Sequence, residues 1–183
     1  MKTIVNLFLF LTFFSGFAFQ DLSTTEANQP TISDSYIKVT VNGATYVFNE
    51  KDYVIAQKGK LPDERYNVTI SASNPDDNDG SSEVVSIILF DLKPIQEKTY
   101  SNGRFEELGY FGPLYIGVQL GFLSAKDNPL PMMNVTNINK PQATLILEEL
   151  SEEHLKGTFE GQLYNPIDRT ATIYIQGEFF VQF

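Results

Sequence analysis

The sequence contains no cysteine and no tryptophan, one histidine, and only 13 Lys and Arg against 23 Asp and Glu. Without cysteine there is no disulfide, no thiolate nucleophile and no Cys-ligated metal. A single histidine rules out a multi-His metal centre within one chain. A formal net charge of −10 argues against a nucleic-acid binder, which needs basic surface to displace counterions. No P-loop, dinucleotide fingerprint, H-E-x-x-H or G-x-S-x-G occurs. Helical periodicity is missing too, apart from one turn's worth at Ser151 to Lys156.

The chain opens with the layout of an export signal. Lys2 is a positive n-region, and Ile4 to Phe14 is apolar apart from Asn6 and Thr12. Gly16 and Ala18 supply the small residues of a cleavage site after Ala18. The apolar run is shorter than the about 20 residues that span a bilayer. An uncleaved anchor and a buried strand are the competing readings. Cleavage leaves 183 − 18 = 165 residues and, with Lys2 gone, a net charge of 12 − 23 = −11. No cysteine follows the run, which excludes a lipoprotein anchor, and no later stretch is expected to span a membrane. Residues 19–35 read as a polar, flexible leader, and 36–183 as one domain. An exported chain without disulfides points to a bacterial periplasm or exterior. The triplets Asn67-Val68-Thr69 and Asn134-Val135-Thr136 fit a glycosylation acceptor, a pattern that chance produces in a chain rich in Asn and Thr.

From Tyr36 the pattern is one of strands. Ile37, Val39 and Val41 alternate with polar neighbours, Asn42-Gly43 follows, and Ala44 to Phe48 continues. Asn-Gly between alternating runs predicts a type I′ hairpin, because both central residues need positive φ. The register follows, with Val41 opposite Ala44, Val39 opposite Tyr46, Ile37 opposite Phe48, and Thr40 opposite Thr45. Further strands are expected at Tyr66–Ala72, Val84–Phe90, Ile116–Phe122, Ala143–Leu147, Thr158–Tyr164 and Thr172–Phe183. The nearly continuous apolar run at 84–90 predicts a central strand buried on both faces. Eight or nine strands predict an all-β antiparallel sandwich, with a closed up-and-down barrel as the alternative. Ser124 to Pro141 is the longest irregular stretch and reads as a functional loop or a crossover between sheets.

The segments Ile37–Asn49 and Leu155–Phe183 resemble the two ends of small secreted proteins and lipoproteins of Bacteroidota-type bacteria that carry domains of unknown function. An Asn-Gly hairpin opens such domains, and a Gly-Thr-Phe strand, here Gly157-Thr158-Phe159, precedes the last one. The resemblance covers about 40 residues and implies a β-sandwich in the cell envelope or outside the cell. It implies no activity, and this chain departs from the lipoprotein members in lacking the lipidated cysteine.

Four groups of residues could carry chemistry. Asp76, Asp77 and Asp79, with Asn78, Gly80 and Glu83, offer oxygen ligands to a Ca²⁺ ion. With Gly80 at the sixth position of an EF-hand loop, positions one and twelve would be Pro75 and Ser86, which are not ligands; a solvated hairpin tip explains the same residues. Tyr100 to Tyr115 holds five aromatics, and Tyr100, Arg104, Phe105, Tyr110 and Phe111 are the candidate ligand-binding set. Rings filling the sandwich edge are the competing reading. His154 lies in a charged turn that suits an exposed side chain better than a general base. The doublets Glu106-Glu107, Glu148-Glu149 and Glu152-Glu153 are not glycosidase pairs by themselves, since neighbours in a strand point to opposite faces. The expected function is therefore an exported, non-enzymatic binding or structural module for a glycan, a peptide or an envelope protein. A hydrolase with two carboxylates from different strands and a protein that assembles by strand exchange are the alternatives.

Overall fold

The computed structural model describes residues 35–49, 53–75, 82–102, 104–107, 113–124, 134–136, 142–165 and 171–183. The segments expected to be a signal and a leader, up to residue 34, and the acidic residues Asp76, Asp77 and Asp79 lie outside the described residues.

The hairpin forms as its pattern dictates. Strand β1 (Tyr36–Val41) pairs with β2 (Ala44–Phe48) in the expected register, Ile37 opposite Phe48 and Val41 opposite Ala44. Asn42 and Gly43 take φ of 47° and 89°, the left-handed pair a type I′ turn needs. Asn42 also extends the neighbouring ladder, because its N–H donates to the Tyr174 carbonyl and its side-chain oxygen accepts the Tyr174 N–H, each at 3.2 Å.

The described chain is an all-β antiparallel sandwich of two layers. Layer one runs β2-β1-β12-β11-β10-β6, with β12 at Thr172–Gln182, β11 at His154–Tyr164, β10 at Ala143–Leu150 and β6 at Lys98–Ser101. Layer two runs β3-β4-β5-β8, with β3 at Tyr53–Lys60, β4 at Tyr66–Pro75, β5 at Ser82–Asp91 and β8 at Pro113–Ser124. A short β7 (Arg104–Glu107) pairs with the start of β8. The three-residue β9 (Asn134–Thr136) pairs with both β8 and β11 and joins the layers at one side. Most of the stretch from Ser124 to Pro141 lies outside the described residues; β8 before it stands in layer two and β10 after it in layer one. The path ends at β2 and β3, which are consecutive in the chain and unpaired with each other, so the barrel alternative does not form.

The core lies between the layers. Ile37, Ile175, Phe179 and Leu163 from layer one meet Ile70, Ile87 and Leu120 from layer two in one cluster. Burying each such side chain contributes about 1.5–3 kcal/mol. The Tyr46 and Phe122 rings meet across the gap with centroids 5.2 Å apart. On β11 and β12 two phenylalanines and two glycines interlock, Gly157 opposite Phe179 and Phe159 opposite Gly177. The two rings stack at 6.4 Å, each occupying the space a side chain on the opposing glycine would need.

Some details differ from the expectations. There are twelve strands among the described residues. The additional ones, β3, β6, β7 and β9, are short or, in β3, end in the charged Lys58-Gly59-Lys60, so their apolar pattern is weak. Strand β5 is central but not buried on both faces: Val85, Ile87 and Leu89 are buried, while Val84, Ser86, Ile88 and Phe90 are half-buried. Ser151 to Lys156 is no helical turn. Ser151 Oγ accepts the N–H groups of Glu153 and His154 and closes a hairpin between β10 and β11. Ser35, the last residue of the expected leader, is buried and its hydroxyl accepts the Gln182 N–H at 3.0 Å.

Candidate functional site

Strand alternation sends one set of residues in layer one to the core and the other set outward. On β1 the outward residues are Lys38 and Thr40, and on β12 they are Tyr174, Gln176 and Glu178. On β11 they are Thr158, Glu160 and Gln162, and on β10 Thr144 and Ile146. Pairing aligns them in rows across the sheet. Lys38, Glu178, Thr158 and Ile146 form one row, and Thr40, Gln176, Glu160 and Thr144 the next. An open trough of about 460 Å³ crosses these four strands, lined by both rows, with Phe159 and Gly177 beneath.

The polar groups in the trough are partly fixed and partly open. The Tyr174 hydroxyl donates to Glu160 Oε2 at 2.6 Å. That hydrogen bond, with some desolvation and the nearby negative charge, pushes the phenol above its ordinary value. Lys38 Nζ lies 3.5 Å from Glu178 Oε1. The Thr40 and Thr45 hydroxyls are 3.1 Å apart. Beside the trough, Tyr164 donates to Gln142 Oε1 at 2.5 Å, and the Gln142 amide donates to Gln162 at 2.9 Å. The side chains of Gln176, Thr144 and Thr158 have no hydrogen-bond partner among the described residues, so their donors and acceptors are open to a ligand. Exposed apolar side chains surround these groups: Ile146 in the lining, Val47 in register with Lys38, and Tyr174 bonded to Glu160. Apolar surface with a few convergent polar groups is the usual make-up of a ligand site.

The aromatic segment is divided by the fold. Tyr100 points from β6 into the core, and its hydroxyl donates to the Gln96 carbonyl and accepts the Gln96 N–H, both at 2.9 Å. Arg104 and Phe105 lie on β7 beside layer two, and Phe105 is 48% exposed. Phe105 meets the buried Tyr115 edge-on at 5.8 Å, and Tyr115 meets Phe90 at 6.3 Å. Arg65 covers Phe90 at 4.5 Å and holds Asp63 at 2.7 Å. Tyr110 and Phe111 lie outside the described residues, as do Asp76, Asp77 and Asp79. Among the described residues no group of three or more His, Asp and Glu is placed to hold a metal ion.

His154 has more company than its sequence context signals. Its Nδ1 lies 3.1 Å from Ser151 Oγ and its Nε2 lies 3.4 Å from Glu149 Oε2. The order resembles nucleophile, base and orienting acid. However, Ser151 Oγ already accepts two backbone N–H bonds, and the group stands on an exposed hairpin tip outside the trough. The Glu doublets beside it are surface ion pairs: Lys156 bonds Glu149 at 3.1 Å and lies 3.6 Å from Glu148, and Lys58 lies 3.7 Å from Glu152.

No protein family, curated protein or solved structure matches the chain. Among the described residues no helix is long and apolar enough to cross a membrane.

Proposed function

We propose that the protein is an exported, non-enzymatic binding module of the bacterial envelope or exterior that holds its ligand across the layer-one trough. The observation that carries this reading is the open hydrogen-bonding capacity of Gln176, Thr144 and Thr158 beside exposed Ile146 and Tyr174. The N-terminal signal layout and the resemblance to secreted Bacteroidota-type proteins support the location. The reading asks for no cofactor. Strand exchange needs an open edge: the last strand, β12, is paired on both sides, while among the described residues β2, β3 and β6 each pair on one side only, and the uncharged β2 is the edge that leaves this alternative open.

A second reading has one observation in its favour. Glu160 and Glu178 line the same trough as diagonal neighbours on β11 and β12, about 7–8 Å apart at Cα. Side chains on such neighbours can bring two carboxyls to the about 5–10 Å that a glycosidase uses. Both are exposed, however, and an exposed carboxyl lacks the burial that readies a general acid. Probing glycan and peptide arrays with wild type and with Gln176→Ala tests the main reading. A signal lost in the variant supports it, and equal signals overturn it. New reducing ends on a bound glycan, lost in Glu160→Gln, would establish the hydrolase instead. Export is read from intact mass after expression of the full chain, which should fall by residues 1–18.

A further inference from the structure

We infer that the trough takes a neutral, linear oligosaccharide lying across the strands, an inference that rests on the binding reading above. Thr45, Thr40, Gln176, Glu160, Thr144 and Ser101 stand in direct register on six neighbouring strands. All six are hydroxyl, amide or carboxylate side chains on the outward side of layer one. Successive members are one strand spacing apart, about 4.8 Å, so the row is about 24 Å long. A ligand lying along it must repeat its hydrogen-bonding groups at that interval, and the successive pyranose rings of an extended glycan do so, each ring presenting its hydroxyls to the next strand. An extended peptide repeats its same-side groups at about 6.6 Å and falls out of step within two strands. It also satisfies its backbone better at a free sheet edge than on a sheet face.

Charge narrows the class. The trough holds two carboxylates and one ammonium in a chain of net charge −10, so a polyanionic glycan meets repulsion. Lys38 offsets Glu178, which leaves Glu160, held by Tyr174, as the free acceptor for sugar hydroxyls. Gln176 and the threonines supply both donors and acceptors. Val47, Ile146 and Tyr174 give the apolar faces of the rings a surface to pack on.

The test is calorimetric titration of the protein recovered after export of the full chain. The probes are cello-, xylo-, manno- and malto-oligosaccharides of two to eight rings, hexagalacturonate, and an uncharged ten-residue peptide library. One neutral series should bind, gaining affinity with each ring up to about four to six rings, where the strands run out, and then levelling off. Gln176→Ala and Thr144→Val should each weaken binding at least tenfold with an unchanged melting temperature, while Phe105→Ala on the other layer should leave it intact. Affinity that ignores chain length, tighter binding of hexagalacturonate, or silence from every neutral series would overturn the inference. Peptide binding that the same two variants abolish would overturn the sugar class and leave the trough reading standing. Glycan binding that neither variant weakens would overturn both.

Discussion

Replacing Gly177 by Ala puts one methyl group where the β11–β12 interlock has no room. Its Cβ would collide with the Lys38 carbonyl oxygen and lie 2.6 Å from Phe159 Cζ and 2.8 Å from Cε1. The carbonyl cannot retreat freely, because β1 is hydrogen-bonded on both sides, to β2 and to β12. The Phe159 ring is held from behind by Phe179. Relief therefore needs an off-rotamer ring, about 0.5–1.5 kcal/mol, and a backbone shift of the overpacking kind, about 1–3 kcal/mol. Restricting the unfolded chain returns about 0.4–1 kcal/mol. The expected net loss is about 2 kcal/mol, or about 1 M in the urea midpoint for a slope near 2 kcal/mol/M. Gly59→Ala is the matched control, since its Cβ would meet only Asn67 Oδ1 at an ordinary 3.6 Å. The assay is urea unfolding followed by far-UV circular dichroism. Phe159→Leu combined with Gly177→Ala should recover part of the loss, as coupled neighbours do. Equal midpoints for Gly177→Ala and Gly59→Ala would refute the steric argument.

Other perturbations have equally definite outcomes. Asn102 is buried, and its side-chain oxygen accepts the N–H groups of Gln142 at 2.5 Å and Ala143 at 2.8 Å, so Asn102→Ala should cost about 2–4 kcal/mol by orphaning both. Asn102→Asp keeps the acceptor and should lose less in the same denaturation assay. Partial burial raises Asp63, but hydrogen bonds from Arg65 outweigh it and hold the carboxyl below its ordinary value; Asp91 is held low in the same way by Lys98. A carboxyl held low in the folded state contributes stability that is complete above its unfolded value near 3.9 and is lost as pH falls through the folded value. The urea midpoint should therefore stay level from pH 7 to 5 and drop below about pH 4, with a shallower acid limb in Asp63→Asn. Lys58 ties β3 to the β10–β11 turn, donating to the Ser151 carbonyl at 2.8 Å and lying 4.2 Å over the Phe183 ring. Lys58→Ala should lower stability by about 1 kcal/mol, and Lys58→Met, which keeps the apolar stem, by less.

Local features of the chain were legible where a short-range signal and a period agreed. Asn42-Gly43 set both a turn type and a pairing, and every predicted contact of that hairpin is present. Ile173 to Val181 showed its inner face because a period of two survives Gly177. Strand β3 carries a weak sequence signal because Gln57 to Lys60 holds no apolar side chain, and β9 is too short to show any period. Tyr100 belongs to the candidate ligand-binding set by its aromatic neighbourhood in sequence, but one four-residue strand turns it inward against β10. The trough was invisible for a different reason. Thr40 and Gln176 become neighbours only through the pairing of β1 with β12, across most of the chain, and no local pattern encodes that register.

The pairing of β1 with β12 also sets an order in time. Layer one joins the first strand of the domain to the last, and β12 is the strand on which both β1 and β11 rest. While the chain is being made, β1 and β2 have only each other, and an isolated hairpin is marginal in water. Layer one closes only when β12 joins, and such long-range pairing is slow. Loss of β12 would therefore take from β1 and β11 their shared neighbour, so the whole of layer one depends on that single strand.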